Sequence, residues 1–283
     1  MISTRGGVPV LMYHALSPAC TSGFGRWTLS PDRFESHLGY LSQEGYRAIT
    51  VAELAERRRH GALDTSARLV VLTFDDAYAD FLDVAMPALQ RYGMAATLFV
   101  PTGYVGGHSG WMRTDGEGDR AVLSWQELGE ISRRGVEIGA HSHTHPELDT
   151  LPPRAQAQEA RLPKLLLEKR LGVPVSSFAY PFGLYDRRVR QAVAAAGYTA
   201  ACTMNSWADT SGDHLLEVPR VAVFDDTDVA SLAARLLASR GPARRAALRA
   251  RRVAQVRARR RRTRPGGLIP APGAQLAGRE VRS

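Results

Sequence analysis

The chain has 283 residues, 44% hydrophobic and 23% charged, which is enough apolar material for a sizeable core and excludes a disordered or fibrous class. Its net charge of +9 is unevenly placed: from Arg240 onward there are fourteen Arg, no Lys and one acid, Glu280, for +13, which leaves −4 on residues 1–239. A nucleic-acid-binding role would therefore rest on the tail alone, and two cysteines, Cys20 and Cys202, with no CxxC pair make no disulfide framework.

Near the N-terminus only Val8 to Tyr13 is continuously apolar, short of the about 7–15 residues of a secretory core. No stretch approaches the roughly 20 apolar residues of a membrane span. The expectation is a cytoplasmic chain, with export through another start codon or a non-standard route left open.

Val8 to Tyr13 reads as a first strand. Pro31 to Glu44 is amphipathic, with Phe34, Leu38 and Leu41 at helical spacing and Gly45 as its stop. Thr50 is placed to cap a helix VAELAERRRH. A buried strand, Leu69 to Leu72, runs into Asp75 and Asp76; a helix follows over Phe81 to Tyr92 and a strand over Ala95 to Pro101. Ser124 caps the helix WQELGEISRR, and the strand Val136 to Ala140 comes next. Further along come a helix over Gln156 to Leu171, a strand over Val175 to Tyr180 and a helix over Tyr185 to Ala195. A strand over Tyr198 to Thr203 and a helix over Asp228 to Ser239 complete the pattern. Strands alternating with helices predict a mostly parallel α/β fold, closed or nearly closed into a β/α barrel. No Gly-rich phosphate loop follows any strand, so no nucleotide cofactor is expected.

In such folds functional groups sit at the carboxyl ends of strands, where Asp75 and Asp76 stand. Two close carboxylates are unfavourable unless a cation or hydrogen bonds compensate. A partner is present at another strand end: His141, His143 and His145 fall within five residues. His141 and His145 are brought together if the segment turns helically. Asp plus two His is the open, three-ligand pattern of a catalytic Zn²⁺ or another divalent metal. His143 is expected beside the ligands or facing solvent. The second Phe-Asp-Asp triplet, Phe224 to Asp226, has no histidine cluster to pair with and reads as loop and capping structure.

These pieces resemble the metal-dependent polysaccharide deacetylase family. Leu72-Thr73-Phe74-Asp75-Asp76 is similar to its first motif, His141-Ser142-His143-Thr144-His145 to its second, and Tyr180-Pro181-Phe182-Gly183 to its third, in order over roughly residues 8–235. The resemblance implies a distorted (β/α) barrel, with Asp75 as general base and Asp76, His141 and His145 as metal ligands. Tyr180, Pro181, Phe182 and Gly183 would line the substrate groove, with the Phe182 N–H toward the oxyanion. Two departures stand out: Ala179 occupies a position where many members carry Arg, and no Leu-x-His follows His145. In the branch acting on β-1,6-linked poly-N-acetylglucosamine that strand lies at the N-terminus, and Val10 to His14 looks like it. His14 is then the expected general acid, against a reading as an ordinary core or surface histidine. Arg220 is the candidate to replace the missing Arg beside Asp75.

The implied activity is removal of acetyl groups from N-acetylated sugars, the partner being an acetylated carbohydrate. An O-acetyl esterase and a non-catalytic sugar-binding protein are the alternatives. Trp111 and Trp125, at the ends of a Gly-rich stretch, offer faces for sugar rings or for core packing. Residues 1–239 are read as the catalytic domain and 240–283 as an Arg/Ala/Pro/Gly-rich tail, solvated or in contact with an anionic surface.

Overall fold

A computed structural model of the protein describes residues 7–18, 24–64, 67–204 and 214–238. The expected tail and Cys20 lie outside the described residues. In chain order the strands are β1 (Val10–Tyr13), β2 (Ala15–Leu16), β3 (Thr28–Leu29), β4 (Arg47–Ile49), β5 (Leu69–Phe74), β6 (Thr97–Val100), β7 (Glu137–Ala140), β8 (Ser177–Ala179), β9 (Ala200–Thr203), β10 (Val218–Pro219) and β11 (Val221–Ala222). The helices are α1 (Pro31–Gln43), α2 (Val51–Arg59), α3 (Met86–Arg91), α4 (Trp125–Arg133), α5 (Pro153–Leu171), α6 (Arg187–Ala195) and α7 (Val229–Ala238).

Local chemistry sets the helix starts. Ser30, Thr50, Ser124 and Asp186 each accept a backbone N–H with the side chain at the start of α1, α2, α4 and α6, satisfying one of the free donors there. Ser124 and Glu127 do so reciprocally. The helix expected over Phe81 to Tyr92 begins as a wide π turn, Phe81–Ala85, before α3. Pro87, which has no N–H to donate, stands just after it.

Strand pairing is parallel throughout the main sheet, in the order β10-β9-β8-β7-β6-β5-β1-β11, with β4 beside the first half of β5. β10 and β11 are the two halves of one extended segment: Val218 and Pro219 pair with β9, then Val221 and Ala222 pair with β1. The sheet is thereby brought round on itself, a parallel barrel with helices outside, as the alternation predicts. Arg220 sits at the changeover.

Because side chains alternate along a strand, the two faces of β5 serve two cores. Val70, Leu72 and Phe74 join the large cluster with α1, α3 and α4, while Leu69 and Val71 join a smaller one with Val10, Phe99, Ala200 and Cys202, covered by Val51, Leu54 and Ala55 of α2. Continuing the alternation puts Thr73 and Asp75 on the face of Leu69 and Val71. The strand carries its apolar inner residues into a carboxylate only at its carboxyl end. Among the described residues no helix is long and apolar enough to cross a membrane.

Candidate functional site

The two adjacent carboxylates separate because the chain leaves the strand between them. The Asp75 N–H still donates to Tyr13 O at 3.0 Å, extending the ladder with β1. Asp76 and Ala77 turn away with φ of 73° and 52°. Among the described residues five non-glycine positions have positive φ, and all five, Asp76, Ala77, Ser142, His145 and Phe182, lie in the turns that form this site. Such backbone costs of order 1 kcal/mol or more per residue and persists where the surroundings over-determine it.

His141 and His145 do come together, but not by a helical turn as expected. Ser142 and His145 have φ of 60° and 55°, and the Ser142 hydroxyl accepts the His145 N–H at 3.0 Å. That side-chain bond competes with helical pairing. His141 Nε2 and His145 Nε2 end 3.2 Å apart. Asp76 Oδ1 is 3.6 Å from the first and 3.3 Å from the second. All three ligand atoms lie within 4.8 Å of one another.

These residues fit a divalent cation. Asp76 Oδ1 is buried with no hydrogen-bond partner, a costly state for a carboxylate oxygen. His141 Nδ1 is 2.8 Å from the Ala179 carbonyl. A carbonyl can only accept, so Nδ1 carries the hydrogen and Nε2 presents its lone pair to Asp76 and His145. Burial pushes the His141 imidazole down to about 4, against the pull of Asp75, so it is neutral and able to ligate near pH 7. Burial works to raise Asp76, and the His145 imidazole beside it outweighs that, holding the carboxyl well below the usual range.

Asp75 is held differently. Arg220 Nη1 donates to its Oδ1 at 2.5 Å and Nη2 to its Oδ2 at 2.7 Å, a bidentate pair with 1% and 3% side-chain exposure. The same guanidinium donates to Thr203 O and Thr73 Oγ1, each at 3.2 Å. Burial alone would raise Asp75, but Arg220 keeps it ionised below its ordinary value. Arg220, between β10 and β11, thus gives Asp75 a guanidinium partner, as expected for the chain with Ala179 at the end of β8.

His14 follows β1, with Nε2 3.9 Å from Asp75 Oδ2. Its Nδ1 is buried and unpartnered. Trp27 and Phe24 pack on the ring, with centroids at 4.6 and 5.9 Å. Burial lowers its pKa although Asp75 and Asp76 oppose, so the neutral imidazole is favoured at rest.

In the turn after β8, Phe182 has φ of 56° and Gly183 of 65°. Tyr180 is buried and donates its hydroxyl to Leu216 O at 3.0 Å. Pro181 is buried too. Phe182 is exposed and stands edge-on to His145 at 4.8 Å. A Cβ at Gly183 would come within 2.3 Å of Met204 Cβ and 2.6 Å of its backbone N, so this turn requires glycine.

Trp111 also reaches the site: its ring lies 5.0 Å from His145 and 4.7 Å from Tyr104, and its Nε1 is buried without a partner. Trp125 instead packs against the core, with Arg170 over its ring at 5.7 Å. His143 stands beside the ligands as expected, Nδ1 2.9 Å from Thr102 Oγ1. The second triplet is structural: Phe224 packs against Trp27 and under Arg26, and Asp228 accepts the Ser231 N–H near the start of α7. Nothing in the sequence pattern assigns Trp27, Phe24 or Tyr78, which packs against Trp111, to the site. Their spacing carries no signal, since tertiary packing alone brings them there.

Residues 62–201 match the family model described as polysaccharide deacetylase. That span holds Asp75, Asp76, His141, His145 and the Tyr180–Gly183 turn, and leaves His14 and Arg220 outside. YxkH of Bacillus subtilis (strain 168) is 29% identical over 216 residues, 76% of this chain and 71% of its own. The poly-beta-1,6-N-acetyl-D-glucosamine N-deacetylase of Staphylococcus aureus (strain MRSA252) is 26% identical over 209 residues, 71% of this chain and 69% of its own. Among solved structures, the Streptococcus pyogenes deacetylase PplD in complex with acetate superposes with a TM-score of 0.70 at 27% identity, over 81% of this chain and 98% of that one.

Proposed function

The chain is a member of the polysaccharide deacetylase family, and from that premise we propose that it is a metal-dependent hydrolase removing acetyl groups from N-acetylated sugars. The observation that carries the reading is the convergence of Asp76, His141 and His145 beside a separate carboxylate, Asp75, gripped by Arg220. The kinship to a poly-N-acetylglucosamine N-deacetylase favours the amide over the ester, and a β-linked N-acetylglucosamine chain or a glycoconjugate bearing that sugar as substrate.

Asp76, His141 and His145 would hold the cation, Zn²⁺ or another divalent ion, which when bound supplies Lewis-acid polarisation of a carbonyl and acidification of water. Asp75 accepts a proton from the attacking water. Arg220 keeps Asp75 ionised and fixes the plane of its carboxylate, so one oxygen edge faces His14 and His141. The Phe182 N–H, in the left-handed turn after β8, is the donor for the oxyanion of the acetyl group. His14 gives a proton to the leaving nitrogen, which is too basic to depart as an anion. Burial favours neutral His14, so that proton is gathered within the site, and Asp75, 3.9 Å away, is the group that takes one from water. Trp111 and Phe182 present aromatic faces to the sugar.

The test couples metal analysis of the purified protein to acetate release from N-acetylated glycans and from an O-acetyl sugar. Zn²⁺-reloaded protein should release acetate from the amide, and chelated protein should not. The His14→Ala variant should lose about 10²–10⁴-fold on the amide and much less on the ester. Failure to bind Zn²⁺ would revive the non-catalytic sugar-binding alternative, and hydrolysis of esters alone would make the chain an O-acetyl esterase.

A further inference from the structure

The turn that carries both histidine ligands is strained, and beyond the Ser142 hydroxyl's bond to the His145 N–H it is held from outside. Ser142 and His145 occupy left-handed backbone, and the intervening amides of His143 and Thr144 belong to no helix or strand. Both amides point at one side chain. Glu159 Oε2, from α5, accepts the His143 N–H and the Thr144 N–H, each at 2.8 Å, and Oε1 accepts the Thr144 hydroxyl at 2.7 Å. Successive backbone N–H groups converging on an anion form a nest, and here the anion is internal. The carbonyl side of the same turn is bonded from after β6: Gly103 N–H donates to His143 O at 2.8 Å, Thr102 N–H to Ser142 O at 3.4 Å, and Tyr104 Oη to Thr144 O at 3.4 Å. The turn is thus clamped between the end of β6 and one carboxylate of α5.

The geometry points to Glu159 as a positioning residue that sets the His141–His145 separation, and so the affinity of the site for its cation. Glu159 touches neither ligand ring. It acts through the two amides between them. Remove its acceptors, and two N–H groups lose their partners while the two left-handed residues that flank them lose one side of the clamp that over-determines them. The turn can then relax, and His145 moves away from His141 and Asp76. The inference rests on reading Asp76, His141 and His145 as cation ligands. Groups that orient metal ligands typically contribute 10–100-fold to affinity.

The experiment measures Zn²⁺ dissociation constants by competition with a chromophoric chelator, and the visible spectrum of the Co²⁺-loaded protein. Glu159→Ala should weaken Zn²⁺ about 10–100-fold and alter the Co²⁺ bands. Glu159→Gln should recover most of the affinity, since its carbonyl can accept both amides and its NH₂ can donate to Thr144. Glu168→Ala, which removes a carboxylate of the same helix that accepts Val175 N–H and pairs with Lys164, should bind Zn²⁺ like the parent. Should Glu159→Ala fail to fold, Glu159→Met, which keeps the stem and removes both acceptors, is held to the same figure. A dissociation constant within about twofold of the parent for the Ala or Met variant overturns the inference. So does equal weakening in Glu168→Ala, or no recovery in Glu159→Gln. If the parent itself binds no Zn²⁺, the metal reading of the site fails instead.

Discussion

Replacing Arg220 with Met tests whether the site's electrostatics are as derived. The guanidinium is 1% exposed and donates to Asp75 Oδ1, Asp75 Oδ2, Thr73 Oγ1 and Thr203 O. Thr73 keeps a partner, because its hydroxyl also donates to Leu11 O. Asp75 is left as a buried carboxylate next to Asp76, and breaking a buried pair on one side costs about 3–5 kcal/mol. A chain of this kind has about 5–15 kcal/mol in all, so the variant should be marginal at neutral pH. The penalty should depend on pH. In the parent, Arg220 overcomes burial and depresses Asp75; that stability is present above the ordinary carboxylate value and is lost as pH falls through the depressed one. In Arg220→Met, burial no longer meets the guanidinium that outweighs it and raises Asp75; that carboxyl is tolerated while protonated and destabilises as pH rises past its unfolded value. The gap between the two proteins should therefore narrow as pH falls. Adding Asp75→Asn to Arg220→Met should recover about half of the loss, since no charge is then stranded. The assay is urea unfolding with a chelator present, from pH 4 to 8. A loss under about 1 kcal/mol at pH 7, far below the cost of a broken buried pair, or a loss that does not change with pH, would refute the argument.

Two further outcomes follow from single positions. Gly183→Ala should lower acetate release at least tenfold and destabilise the fold by about 2 kcal/mol, because its Cβ would meet Met204 at a φ of 65°; unchanged kinetics would show that the Phe182 N–H is not placed by this turn. His37 is buried between Tyr13 Oη at 3.3 Å and Thr227 O at 2.9 Å, and burial pushes its pKa down to about 4. Its folded value lies below the unfolded one, so stability present above pH ~6.5 is lost as pH falls toward 4, by up to about 3 kcal/mol. His37→Gln should flatten that acid limb in unfolding titrations, and an unaltered limb would exclude His37 as its source.

The sequence was informative where chemistry and pattern coincide. A run of apolar residues ending in Asp75 and Asp76, and histidines at the end of another strand, point to the candidate cation site, because both signals are local. The helix starts at Thr50 and Ser124 are legible for the same reason: each cap acts within three residues. Arg220 could be named only through a gap, Ala179, and its two-pronged grip depends on where the last strand lands. A helical turn from His141 to His145 does not form because the Ser142 hydroxyl takes the His145 N–H that such a turn would use, and Glu159, fourteen residues beyond, holds the His143 and Thr144 amides in the turn that forms instead. Trp27 and Phe24 left no mark at all. Their part is defined by the face of His14 they cover, and no periodicity encodes a contact made by tertiary packing.

The five residues from Val218 to Ala222 complete the ring of strands and deliver Arg220 in the same stroke. His14 comes from near one terminus and Arg220 from more than two hundred residues later. Residues before Val218 include the candidate cation ligands Asp76, His141 and His145 but not the countercharge for Asp75. On the proposed reading, the same seam that closes the sheet is what keeps Asp75 ionised, so a chain cut before Val218 would keep the residues for binding a cation and lack the one that readies the base.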